Sequence, residues 1–103
     1  MNQGFIRVGA ATLLTQVADC GHNTQQIIQM IEESIREDVA ILVTPELGIT
    51  GYTCNDLFHQ HHLQNDVLKQ LDLLKQATVG QDLVLIVGAP LSIGNGLYNC
   101  AVV

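Results

Sequence analysis

Residues 39–51 read Val-Ala-Ile-Leu-Val-Thr-Pro-Glu-Leu-Gly-Ile-Thr-Gly, and this stretch decides the fold class. The run 39–43 is continuous, aliphatic and rich in β-branched residues, which is typical of a strand buried on both faces. Pro45 keeps the preceding Thr44 extended and so favours the end of the strand there. Glu46 therefore follows a strand end in a Gly-rich loop, a position where α/β proteins place reactive side chains.

Three further segments have the composition of strands. Residues 5–14 are mostly apolar and lack helical periodicity, which predicts a first strand. Residues 83–87 repeat the buried-strand pattern, and Gly88-Ala89-Pro90 is expected to end that strand. The turn Gly94-Asn95-Gly96 predicts a hairpin that leads into a fourth strand over 97–103.

Two helices are predicted between these strands. Asn23 or Thr24 is expected to cap the first, after a loop over 15–21, and Asp56 to cap the second, which should stop at 78–80. The first helix has one apolar face, formed by Ile27, Ile28, Ile31 and Ile35. The second carries a longer apolar stripe, formed by Leu57, Leu63, Val67, Leu68, Leu71 and Leu74. The predicted order β-α-β-α-β-β indicates an α/β sandwich.

Composition narrows the possible functions. The chain has 103 residues, 48% of them hydrophobic, and a net charge of −6. Such a charge repels a phosphate backbone, so nucleic acid is not an expected partner. No segment approaches the length of a membrane span, so no membrane association is expected. Three cysteines without paired spacing indicate neither a disulfide framework nor a zinc site, and we expect a reducing, cytoplasmic location.

Glu46 is the strongest candidate for chemistry. A carboxylate acts as a general base near neutral pH when its surroundings raise its pKa, and a strand-end loop can provide such surroundings. The alternative is a solvated loop residue without a catalytic role. Tyr52 is placed to line a site or to pack in the core. A second cluster, made of Cys54, Asp56, His59, His61 and His62, lacks the spacing of a structural zinc site, so we expect no metal there and read it as a solvated helix start.

The motif Pro45-Glu46-Leu47 followed by Thr50-Gly51-Tyr52 resembles the first catalytic motif of the nitrilase, or carbon-nitrogen hydrolase, superfamily, whose members use a Glu, a Lys and a Cys. More narrowly, the chain is similar to the glutaminase domain of the glutamine-dependent NAD synthetase family. That similarity extends over the following segments: 5–8, 17–19, 50–58, 88–91 and 97–103.

This resemblance implies a fold and a set of roles. It implies that residues 1–103 are the amino-terminal part of a carbon-nitrogen hydrolase (glutaminase) domain, with a partial nitrilase-type α-β-β-α sandwich. Glu46 would be the base that activates a nucleophilic cysteine, and Tyr52 would line the pocket for glutamine. The glutaminase part would need no cofactor. ATP and magnesium would be used by a synthetase domain that these residues do not include, and ammonia would pass between the two sites through a tunnel.

The family's Lys and nucleophilic Cys match no residue here, because the available lysines and cysteines lie in other contexts. We therefore expect an incomplete domain that is inactive alone and that associates with further copies as a homo-oligomer. Two alternatives remain open: part of another nitrilase-type amidase, and a non-catalytic α/β interaction module in which Glu46 is incidental.

Overall fold

The structure of the chain is a computed structural model, which describes residues 4–51 and 60–103. These residues form β1 (Val8–Ala10), α1 (Cys20–Arg36), β2 (Ile41–Val43), α2 (His61–Thr78), β3 (Val84–Ile93) and β4 (Gly96–Val102). The predicted α/β class and the order β-α-β-α-β-β are confirmed.

The strands form one four-stranded sheet in the order β1-β2-β3-β4, so that their spatial order equals their order in the chain. The first three are parallel, with Ile41 of β2 opposite Val8 on one side and Val84 on the other. The fourth returns antiparallel to β3, from Ile93 opposite Gly96 to Val87 opposite Val102. The predicted hairpin is therefore present, and its turn lies at 94–95.

Both helices contribute to one core on one face of the sheet, where Leu42 and Val87 are buried. Most of the predicted helical positions are buried in this core: Ile27, Ile31, Leu63, Val67 and Leu74. Leu71 is half-buried against it. Ile35 was expected to pack there and is 40% exposed, whereas the neighbouring Ser34 is the buried residue in the last turn of α1.

The predicted cap of the first helix is wrong. Helix α1 begins at Cys20, inside the predicted loop, because Asp19 is the N-cap and its Oδ1 accepts a hydrogen bond from the backbone N–H of His22 at 3.1 Å. Asn23 and Thr24 lie inside the helix and are buried. Helix α2 begins at His61, with Gln60 at the N-cap position. The expected cap, Asp56, lies outside the described residues.

Two strand boundaries also differ from the prediction. Strand β1 covers 8–10 of the predicted 5–14, because its partner β2 has only three residues and pairs with these three. Strand β3 does not end at Gly88-Ala89-Pro90 but continues through them to Ile93. Proline is tolerated because β3 pairs with β2 only as far as Ile86, so no ladder hydrogen bond to β2 requires an N–H at Pro90.

The sheet face opposite the helices is apolar, and the described residues leave it exposed around Val8, Val43 and Val84. Side chains alternate along each strand, so the neighbours of buried Leu42 point away from the core. Val8 of β1, Val43 of β2 and Val84 of β3 are accordingly 65%, 40% and 45% exposed. Among the described residues, no helix combines the length and apolar character needed to cross a membrane.

Candidate active site

Glu46 lies in a tight turn directly after β2 and is exposed. The turn is fixed to β3 at its start, where the backbone N–H of Thr44 donates to the carbonyl of Ile86 at 3.0 Å. It is fixed again at its end, where the N–H of Ile49 donates to the carbonyl of Gly88 at 3.3 Å. Glu46 is therefore an exposed side chain on a backbone that is held at both ends.

The turn can rest on β3 because residue 88 is glycine. A Cβ atom at this position would lie 2.4 Å from the backbone nitrogen of Leu47 and 2.6 Å from the carbonyl oxygen of Pro45. Real Cβ atoms do not approach backbone atoms so closely, and a side chain at 88 would displace the backbone on both sides of Glu46. The sequence prediction assigned Gly88 only to a strand end.

The turn is closed by short-range hydrogen bonds that hold Leu47 in a left-handed conformation, with φ +52°. Its carbonyl accepts the N–H of Gly51 at 2.8 Å and that of Thr50 at 3.2 Å. A branched residue rarely adopts this conformation, and such strain is concentrated at functional sites. The residue immediately after Glu46 is thus held in a costly geometry by its surroundings.

The side chain of Asn23, on helix α1, connects the turn to the rest of the molecule. This side chain is fully buried on α1, and its Nδ2 donates to the carbonyls of Gln16 and Ile49, each at 2.8 Å. Its Oδ1 accepts the N–H of Gln16 at 2.7 Å. One amide therefore joins helix α1, the segment before it and the turn that carries Glu46.

The carboxylate of Glu46 contacts a side chain far away in sequence. The Nδ2 of Asn99, on β4, donates a hydrogen bond to Oε1 of Glu46. Asn99 is itself exposed, so this pair lies at the surface of the described part of the chain. A carboxylate held in this way can accept a proton from a group brought against its other oxygen.

The other residues singled out from the sequence lie outside the described part of the chain or are exposed at the start of α2. Tyr52 and the three cluster members Cys54, Asp56 and His59 lie outside the described residues. His61 and His62 are exposed at the start of α2. Over residues 4–51 and 60–103, no three His, Cys, Asp or Glu side chains are grouped as a metal site requires.

The described lysines and cysteines are not part of this site's hydrogen bonding. Cys20 is buried at the start of α1. Cys100 is half-buried on β4, with its Sγ 3.8 Å from the carbonyl oxygen of Tyr98. Lys69 and Lys75 are exposed on α2. The described geometry thus supplies a carboxylate, that of Glu46, held by Asn99 on a fixed turn.

The sequence pattern of the Carbon-nitrogen hydrolase family matches residues 7–103. The chain belongs to this family. The match includes the turn with Glu46 and the whole β3–β4 hairpin, so it covers the parts that form the site. The resemblance to the carbon-nitrogen hydrolases stated from sequence is confirmed.

Individual relatives in this family carry a more specific name. The chain is 36% identical to a glutamine-dependent NAD(+) synthetase from Mycobacterium tuberculosis, over 97% of this chain and 15% of that protein. It is 31% identical to the protein of the same name from Bos taurus, over 95% of this chain and 14% of that protein. A crystal structure of a glutamine-dependent NAD(+) synthetase from Cytophaga hutchinsonii matches with a TM-score of 0.87 and 32% identity, covering 93% of this chain and 16% of that one. The chain thus spans about one seventh of the length of these relatives, and the fold is that of part of a nitrilase-type domain.

Sequence reasoning singled out Glu46 but not the residues that hold it and its turn: Gly88, Asn23 and Asn99. Gly88 was visible as a glycine inside an apolar run, which is a signal of close backbone approach. Asn23 was visible as a polar residue on the apolar side of a helical pattern. Asn99 had no local signal, because its role depends on the register that brings β4 beside the turn.

Proposed function

We propose that this chain is the amino-terminal part of a glutaminase domain in a glutamine-dependent NAD synthetase. The proposal is supported by the similarity to proteins of that name over nearly all of the chain. The observation that carries it is the carboxylate of Glu46, held by Asn99 on a turn that is fixed to the sheet at both ends.

In the proposed reaction, Glu46 takes the proton of a cysteine thiol, and the sulfur attacks the side-chain amide carbon of glutamine. Ammonia leaves, and water then hydrolyses the thioester to glutamate. Tyr52 would line the pocket for glutamine. The cysteine and the lysine of this chemistry would be supplied by residues other than these 103, so the chain alone should not hydrolyse glutamine.

The released ammonia would amidate nicotinic acid adenine dinucleotide in a synthetase domain. The adenylation by ATP and magnesium would occur in that domain, and the glutaminase part would need no cofactor. Glutamine and the synthetase domain are therefore the proposed partners, in a cytoplasmic homo-oligomer.

The test is Glu46→Gln in the longer protein that this proposal describes. The amide keeps the shape of the side chain but cannot accept a proton, and a general base is worth about 100- to 10,000-fold in rate. Glutamine-driven NAD synthesis should fall by a factor in this range. Synthesis driven by added ammonia should stay close to the parent rate, because free ammonia bypasses the step.

The matched control is Glu37→Gln, which makes the same chemical change at an exposed residue just after α1. It should leave both activities unchanged. Glutamine-driven turnover of Glu46→Gln within about threefold of the parent, well below the usual worth of a base, would contradict the proposal. So would an equal loss with both nitrogen sources.

A further inference from the structure

Asn99 is placed over the turn by the register of the hairpin. It lies on β4 opposite Pro90 of β3, and the next residue pair on the same side is Ala101 opposite Gly88. Val102 packs against the core, so by alternation Asn99 and Ala101 point to the other face of the sheet. Gly88 is the residue on which the turn rests, and the Asn99 side chain therefore reaches Glu46 from the neighbouring strand.

The direction of this hydrogen bond follows from the chemistry of the two groups. An ionised carboxylate can only accept hydrogen bonds, so the amide must donate through its nitrogen. The contact between Nδ2 of Asn99 and Oε1 of Glu46 has this direction. The contact engages one oxygen and leaves Oε2 to take up a proton. Because the donor is neutral, it orients the carboxylate without adding a formal charge beside it.

We propose that Asn99 is a positioning residue for the base, and that its amide fixes the Glu46 carboxylate so that Oε2 faces the group that loses its proton. This inference rests on the proposed function and adds a residue to it. An exposed glutamate has several rotatable bonds, and a fixed backbone alone does not orient its end group. A misplacement of about 1 Å in a reacting group can cost on the order of 100-fold in rate.

The first measurement is steady-state kinetics of Asn99→Ala in the longer protein. The kcat of glutamine-driven synthesis should fall about 10- to 100-fold, as expected for a misplaced reacting group. The KM for glutamine should stay within about threefold, because the lost interaction acts on the base rather than on ground-state binding. Ammonia-driven synthesis should be unchanged. Ser92→Ala, at another exposed position of the same hairpin, is the matched control and should behave as the parent.

The second measurement separates positioning from a structural role. In a Glu46→Gln background the base is already lost, so adding Asn99→Ala should reduce glutamine-driven kcat little further. If Asn99→Ala does not fold, Asn99→Asp replaces it in these measurements, because the aspartate side chain has nearly the same shape as that of asparagine. It lacks the amide donor and sets a like charge against Glu46, so its glutamine-driven kcat should fall at least as far.

Each of three outcomes would overturn the role of Asn99: parent-like kcat with glutamine, equal losses with both nitrogen sources, or a full further loss in the Glu46→Gln background. These differ from a failure of the proposed function. In that case Glu46→Gln itself would leave glutamine-driven synthesis intact, whatever Asn99→Ala did.

Discussion

The single residue on which the geometry of the site depends most is Gly88. Its missing side chain lets the backbone of 45–47 lie directly on β3, and its carbonyl accepts the hydrogen bond from Ile49 that fixes the end of the turn to β3. We expect Gly88→Ala to lower the free energy of unfolding by about 1–3 kcal/mol, the usual cost of overpacking. Urea unfolding followed by circular dichroism would measure this.

The control for this change is Gly9→Ala on β1. A Cβ atom there would meet Val39 Cγ1 at 3.4 Å, which is close to an ordinary contact. Its effect should stay within about 0.5 kcal/mol, as for substitutions that disturb no special feature. Equal unfolding midpoints for the two alanine variants would show that the turn does not depend on residue 88.

At the scale of elements, helix α1 is coupled to the turn through Asn23. We expect Asn23→Ala to destabilise the chain by about 2 kcal/mol or more, because unpaired buried backbone groups each cost about 1–3 kcal/mol. The groups left without a partner are the buried carbonyl of Ile49 and the part-buried N–H of Gln16, whereas the carbonyl of Gln16 keeps the N–H of Asp19 at 3.1 Å. Chemical denaturation gives the stability, and amide exchange at Ile49 and Thr50 should become faster than in the parent.

Gln25→Ala tests whether this loss is specific to the buried amide. Gln25 is two residues away on the same helix and is exposed. Its replacement by a better helix former should be neutral or slightly stabilising. If Asn23→Ala were as stable as Gln25→Ala, the bridging role of Asn23 would be wrong.

The elements themselves were predictable where the signal is local. The apolar faces of α1 and α2 and the run 39–43 gave the right element types in the right order. The cap of α1 and two strand boundaries were wrong because competing local choices decide them: Asp19 caps α1 in preference to Asn23, whose amide is used by the turn. The contact between Glu46 and Asn99 spans 53 residues and depends on two strand registers, which no short window of sequence contains.

At the scale of the whole molecule, the bare sheet face predicts self-association of this chain. An exposed apolar patch of this kind usually marks an interaction surface. In the described residues β1 and β4 are also the two edges of the sheet. Light scattering should show a mass that rises with concentration, and Val84→Lys should reduce the association by placing a charge in the patch.

Val79→Lys is the comparison for this experiment. Val79 is 69% exposed but lies at the end of α2, away from the sheet face. The same substitution there should leave the association unchanged. A chain that stays monomeric at all concentrations would contradict the prediction, as would equal effects of the two lysines.

The order of the strands also bears on how the chain acquires its fold during synthesis. Since β1, β2, β3 and β4 are neighbours in space in the order in which they are made, each strand emerges beside a partner that is already present. The sheet can grow from one side as the ribosome proceeds, at about 5–20 residues per second. Glu46 emerges before the hairpin that holds it, so its hydrogen bond to Asn99 can form only when β4 has joined the growing edge.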